Sequence, residues 1–140
     1  KGKDGGDTIF GKDGKDKIKG GAGDDMLNGG KDKDKVWGNQ GQDTFVFDQV
    51  QAKDFLKDYN PFDDTILLAQ KAFTALPLGQ LNPLAFHLGS TPLDASDRVM
   101  YDSATGNLYY DPDGTGPLAT IKVGKLPAGL TMTAEEFFVA

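Results

Sequence analysis

Large apolar residues recur at every ninth position through the first third of the chain: Ile9, Ile18, Leu27, Val36 and Phe45. Their immediate neighbours are mostly polar, as in Lys17-Ile18-Lys19 and Lys35-Val36-Trp37. Alternation of that kind predicts a short strand with one side chain facing inward. Two residues before each apolar position stands an aspartate: Asp7, Asp16, Asp25, Asp34 and Asp43. Seven before it stands a glycine: Gly2, Gly11, Gly20, Gly29 and Gly38. The chain therefore divides, without a slip, into GKDGGDTIF (2–10), GKDGKDKIK (11–19), GGAGDDMLN (20–28), GGKDKDKVW (29–37) and GNQGQDTFV (38–46). Position 4 is glycine in four repeats and Asp32 in the remaining one.

A short fixed period marks a solenoid, in which each unit buries its apolar face only against its neighbours. Each nonapeptide offers a turn followed by a three-residue strand. Two of them make a coil of 18 residues, so turn n stacks on turn n+2 at about the 4.8 Å strand spacing. Glycines at positions 1 and 4 are expected to allow the positive φ that curls the turn. Positions 7 and 9 should face outward, among them Lys17, Lys19, Asn28, Lys35 and Trp37.

Beyond residue 46 the pattern loosens. DTFVFD (43–48) lengthens the last strand, and Asp64-Thr65-Ile66-Leu67-Leu68 predicts another. Arg98–Tyr101 and Leu108–Tyr110 flank Ser103-Ala104-Thr105-Gly106-Asn107, a hairpin signal. Leu118–Val123 is a further strand, and residues 69–76 suit a short helix. Six prolines (Pro77, Pro83, Pro92, Pro112, Pro117 and Pro127) mark loops. The predicted fold is all-β: a parallel roll followed by a mostly antiparallel cap over its open end, as solenoids need.

Charge supports a division at residue 47. Residues 1–46 carry nine Lys and nine Asp, whereas the remainder carries the whole net charge of −6. We expect two domains, 1–46 and 47–140. The acidic balance argues against a nucleic-acid partner. No apolar run approaches the roughly 18 residues that span a bilayer, and no signal-peptide pattern opens the chain. There is no cysteine, which excludes disulfides and thiolate metal sites. The chain opens inside the repeat pattern, so further protein is expected upstream. A monomer is expected.

The G-G-x-G-x-D-x-U-x repeat resembles that of the RTX, or hemolysin-type, proteins exported by Gram-negative type I secretion. The resemblance implies calcium, a hard cation that takes six to eight oxygens. Carried over by position, one ion would use the carbonyls of Lys3, Gly5, Gly20 and Ala22 with the carboxylates of Asp7 and Asp25. A second would use Lys12, Gly14, Gly29 and Lys31 with Asp16 and Asp34. A third would use Gly21, Gly23, Gly38 and Gln40 with Asp25 and Asp43, so that Asp25 bridges two ions. A fourth, from Gly30, Asp32 and Asp34, would need downstream carboxylates, for which Asp58 and Asp64 are the candidates. Three to four ions are implied. Asp32 in place of glycine predicts either strain in turn four or use of its side-chain oxygen. The lysines at 12, 15, 31 and 33 are unusual in such repeats and read as solvated surface residues that soften repulsion among the aspartates.

The roll has a thin core, one inward side chain per repeat, against the ordering cost of a glycine-rich backbone. Calcium binding is therefore expected to supply the folding free energy. The roll should be disordered in a low-calcium cytosol and fold outside the cell, where calcium modules work at about 10⁻⁴–10⁻³ M. Thr133-Ala134-Glu135-Glu136-Phe137-Phe138-Val139-Ala140, acidic then apolar, resembles an uncleaved type I secretion signal; the plainer reading is an element packed on the cap. Asp111-Pro112-Asp113-Gly114-Thr115-Gly116 lacks the full calcium loop and reads as a tight turn, with an extra ion as the alternative.

No catalytic set is present. His87 is the sole histidine, which excludes an H-E-x-x-H zinc site, and G-x-S-x-G is absent. Any catalytic domain would lie upstream. The leading function is a calcium-dependent folding and export module. The alternative is a calcium-dependent carbohydrate- or surface-binding, adhesin-like module, which would need a flat row of exposed aromatics or threonines. The outward positions read as mixed and lysine-rich.

Overall fold

A computed structural model describes all 140 residues. The first seven strands are β1 (Thr8–Phe10), β2 (Lys17–Ala22), β3 (Met26–Asn28), β4 (Lys35–Gln40), β5 (Thr44–Phe47), β6 (Asp54–Leu56) and β7 (Thr65–Leu68). They alternate between two sheets. Odd strands pair in one, even strands in the other, and every pairing among them is parallel. The register steps by 18 residues, as in Ile9↔Leu27 and Ile18↔Val36. This is the roll that the nine-residue period predicts.

The roll does not stop where the repeat does. Two further Asp-x-apolar triplets, Asp54-Phe55-Leu56 and Asp64-Thr65-Ile66, provide β6 and β7. The connecting turns are longer, but Leu56 and Ile66 stack in line with the repeat side chains, opposite Val36 and Phe45. Ile18, Leu27, Val36, Phe45, Leu56 and Ile66 are all buried, and Ile9 at the open end is half-buried.

The remaining strands are β8 (Gly79–Gln80), β9 (Phe86–Leu88), β10 (Val99–Tyr101), β11 (Asn107–Tyr110), β12 (Ile121–Lys125) and β13 (Phe137–Val139). They do not form a separate lid. β12 adds to β6, and β13 adds to β7, both in parallel, so each sheet runs unbroken from repeats into cap. The composition changes near residue 47, but the hydrogen bonding does not. The hairpin signal at 98–110 becomes the antiparallel pair β10–β11, with Gly106 at φ 80° in its turn. β11–β12 and β13–β8 are also antiparallel, and β9–β10 is parallel.

Residues 69–76 form successive turns instead of the expected short helix. Phe73 and Leu76 are fully buried there, and Phe73 meets the Tyr110 ring edge-on at 5.0 Å. Packing of these two side chains overrides the local helix propensity. The C-terminal segment is a single 3₁₀ turn, Ala134–Glu136, capped by Thr133, and then β13. No helix is long and apolar enough to cross a membrane.

Candidate metal sites

The turns stack as the 18-residue coil requires. The Gly5 N–H donates to the Ala22 carbonyl at 2.6 Å, joining turns one and three. Lys31 donates to the Lys12 carbonyl, joining two and four, and Gly23 to the Gln40 carbonyl, joining three and five. The carbonyls of Gly20, Gly29 and Gly38 each come within contact range of the position-1 glycine one coil earlier. The residues of the three predicted carbonyl-and-carboxylate sets therefore lie on stacked turns of neighbouring coils.

The position-6 aspartates form a ladder. The backbone N–H of Asp7 donates to Asp25 Oδ1 at 2.8 Å, Asp16 to Asp34 at 2.7 Å and Asp25 to Asp43 at 3.0 Å. The ladder then continues past the repeats. Asp34 donates to Asp54 Oδ1 at 2.9 Å and Asp43 to Asp64 Oδ1 at 3.0 Å. Asp64 thus occupies the place of a missing repeat aspartate. Asp58 accepts instead from the amides of Gly38 and Asn39, both at 2.9 Å, at the mouth of turn five. Asp54 was not among the residues predicted from sequence, because its spacing from Asp43 is 11 rather than nine. The signal that finds it is the Asp-x-apolar triplet, whatever the length of the turn before it.

In Asp25, Asp34 and Asp43 the Oδ1 is engaged in the ladder, and the other oxygen has nothing to bond. Asp16, Asp25, Asp34 and Asp43 each leave a buried Oδ2 without any donor. A buried, unpaired carboxylate oxygen is costly unless a cation meets it. The glycine at position 1 makes room for it. A Cβ on Gly20 or Gly38 would collide with the Oδ2 of Asp25 or Asp43. A Cβ on Gly29 would lie 2.5 Å from Asp34 Oδ2 and 2.7 Å from Asp54 Oδ2. This corrects the expected role of these glycines: none at position 1 has a positive φ. The positive φ belongs to position 4, at Gly5, Gly14, Gly23 and Gly41, and to position 2, at Lys12, Gly21, Gly30 and Asn39. Asp32 accepts the same geometry at φ 72°, and its Oδ2 takes the Gly14 N–H at 3.1 Å.

No three acidic or histidine side chains cluster tightly enough to hold an ion alone. The oxygen set is completed only by backbone carbonyls, which suits a large, hard cation of flexible coordination such as calcium. Burial raises the carboxyl pKa values without an ion. Asp34 is raised by desolvation and then by the charges of Asp16 and Asp32. Asp43 is raised by desolvation, with Asp25, Asp58 and Asp24 adding to it. Desolvation takes Asp54 to about 7, with Asp34 and Asp48 contributing, and Asp64 to about 6, with Asp43 and Asp58 contributing.

Residues 1–36 and 26–49 match the family model of the RTX calcium-binding nonapeptide repeat, in four copies. The N-terminal third of this chain is an RTX repeat domain. Among curated proteins, none matches the chain. The RTX domain is a calcium-binding module, and such repeats are typical of secreted proteins. The match ends at residue 49, so it covers the ladder as far as Asp43 and stops before Asp54, Asp58 and Asp64.

Elsewhere residues 111–116 form a tight turn, as expected. Asp111 is buried, accepts from Thr120 Oγ1 at 2.6 Å and from the Asp113 N–H at 3.1 Å. These bonds hold its carboxyl below the usual range, against the opposing pull of burial. His87 lies on β9 opposite Met100, with no acidic partner within hydrogen-bonding distance.

Proposed function

We propose that this chain is a folding and export module, the C-terminal end of a larger protein sent through type I secretion, which becomes ordered when it meets calcium outside the cell. The observation that carries this reading is the aspartate ladder, in which Asp16, Asp25, Asp34 and Asp43 each leave a buried oxygen unpartnered. Without cations the coils would stack like charges in a water-poor interior; with cations each stack becomes a ligand cage. Asp25 serves two coils, and Asp34 with Asp54 and Asp43 with Asp64 extend the same arrangement beyond the repeats. These downstream pairs would complete end sites for the last turns. Binding free energy at such sites is folding free energy.

The position of the C-terminus supports the export half of the reading. Phe137 and Val139 are buried between β7 and β8, while Phe138 faces out. A secretion machine reading the acidic-apolar end can do so only while β13 is undocked from β7, the last strand of the roll. Low cytosolic calcium would keep it so. Circular dichroism through a calcium titration tests this. Cooperative gain of β signal near 10⁻⁴–10⁻³ M is expected. A roll fully folded in excess chelator, or export unaffected by deleting residues 133–140, would refute the respective halves.

A further inference from the structure

The two outer surfaces of the sheets differ. On the even-strand sheet, the register sets Lys17, Lys35, Phe55 and Lys125 in one row across β2, β4, β6 and β12. A second row begins with Lys19 opposite Trp37 and is followed by Lys57, whose N–H joins the Val36 carbonyl. Beyond them Lys122 lies opposite Tyr109. The sole carboxylate within these strands is Asp54, which is buried and turned toward the Asp34 amide. The lysines have no acidic partner, since the ion pairs of the chain, Lys31–Asp13 and Lys71–Asp48, lie elsewhere. A chain of net charge −6 thus presents one coherent basic face.

We propose that this face is a docking surface for an acidic polysaccharide, a polymer of carboxylate-bearing sugar rings laid across the strands. Charge complementarity is the first reason. The spacing is the second: Lys17 and Lys35 stand one strand apart, about 4.8 Å, and Lys125 follows two strands beyond with Phe55 between them, a straight row that suits an extended acidic polymer. The aromatic rings are the third. Phe55 is flanked by Lys57 Nζ at 3.9 Å and Lys125 Nζ at 5.2 Å, and Trp37 by Lys19 Nζ at 5.3 Å. Each half-exposed ring therefore offers an apolar edge for a sugar C–H face beside a cation for its carboxylate. Duplex nucleic acid, with a phosphate for every ~1.7 Å of axis, would demand denser positive charge than an acidic protein offers here. A membrane surface would favour protruding apolar wedges, and none stands out from these rows.

The test is calorimetric titration of the whole chain, calcium-loaded, with a ten-ring oligogalacturonate and with its methyl-esterified, uncharged form. Binding of the acid form, at least about tenfold tighter than the ester, is expected. Lys17→Glu/Lys35→Glu should weaken it at least about tenfold, and Lys71→Glu, on another surface, less than about twofold. Circular dichroism of each variant in calcium shows that the roll is intact, which separates loss of this surface from loss of calcium-driven folding. No binding by a folded chain, equal binding of the ester, insensitivity to the Lys17 and Lys35 changes, or tighter binding of single-stranded DNA or phosphatidylserine vesicles at this face would overturn the proposal.

Discussion

The two halves of this molecule share the same two sheets but are held together differently. In the cap, most strands contribute large side chains to a common interior: Leu68, Tyr101, Leu108, Tyr110, Val123, Phe137 and Val139 are all buried in it. In the repeats, each nonapeptide turns one large apolar side chain inward, and much of the interior near the turns is carboxylate and carbonyl oxygen. A hydrophobic interior carries its own driving force. An interior of oxygen needs an ion. Continuous backbone hydrogen bonding therefore spans two regions with opposite requirements, and the boundary between them is one of energetics.

The strongest way to break this comparison is to remove calcium. Amide hydrogen exchange in chelator should show strands β1–β5 losing protection by orders of magnitude while β10 and β11 keep theirs. Simultaneous loss in both would mean a single cooperative unit. Next in size is Phe137→Ala, expected to cost about 3–5 kcal/mol in calcium, read by denaturant unfolding. Asp43→Asn sharpens the contrast. The amide oxygen can still accept the Asp25 N–H, but the charge facing Gly38 is gone. The calcium stoichiometry should fall while the cap's unfolding midpoint holds.

A smaller effect is pH. The folded-state values of Asp54, about 7, and Asp64, about 6, lie above the ordinary carboxyl value. Protonation thus stabilises the calcium-free fold fully below about pH 4, and that stability is lost as pH rises through 6 and 7. Calcium-stripped protein should be more stable to urea at pH 5 than at pH 8. Loaded protein should show the reverse, because protons compete with the ion. The smallest expected change is Asp32→Gly. It relieves φ 72° but loses the bond to the Gly14 amide, and should raise the unfolding free energy in calcium by less than about 1 kcal/mol.

Much of the roll is legible in the sequence because its period is strict. The inward side chains, the stacking of turn n on n+2, the aspartate ladder through Asp43 and the 98–110 hairpin all follow from spacing. Asp54 escapes a nine-residue ruler because an unpaired turn can lengthen without disturbing the strand after it. Residues 69–76 depend on where Phe73 and Leu76 find partners, which is long-range information. The outward residues read as mixed for a related reason. Thr8, Met26, Thr44 and Thr65 share one outer face, and the Lys17, Lys35 and Phe55 row the other, although they interleave along the chain.

That interleaving constrains how such a chain can be lengthened. Successive units fall on opposite sheets, so duplicating one nonapeptide would exchange the two sheets for every unit before it relative to the cap. The lysine surface would be cut in two, half of it transferred to the threonine side. Adding two units leaves both surfaces aligned and merely longer. A lengthening that keeps both surfaces intact therefore comes in pairs of units, while the inward positions, large and apolar in both sheets, would tolerate either parity.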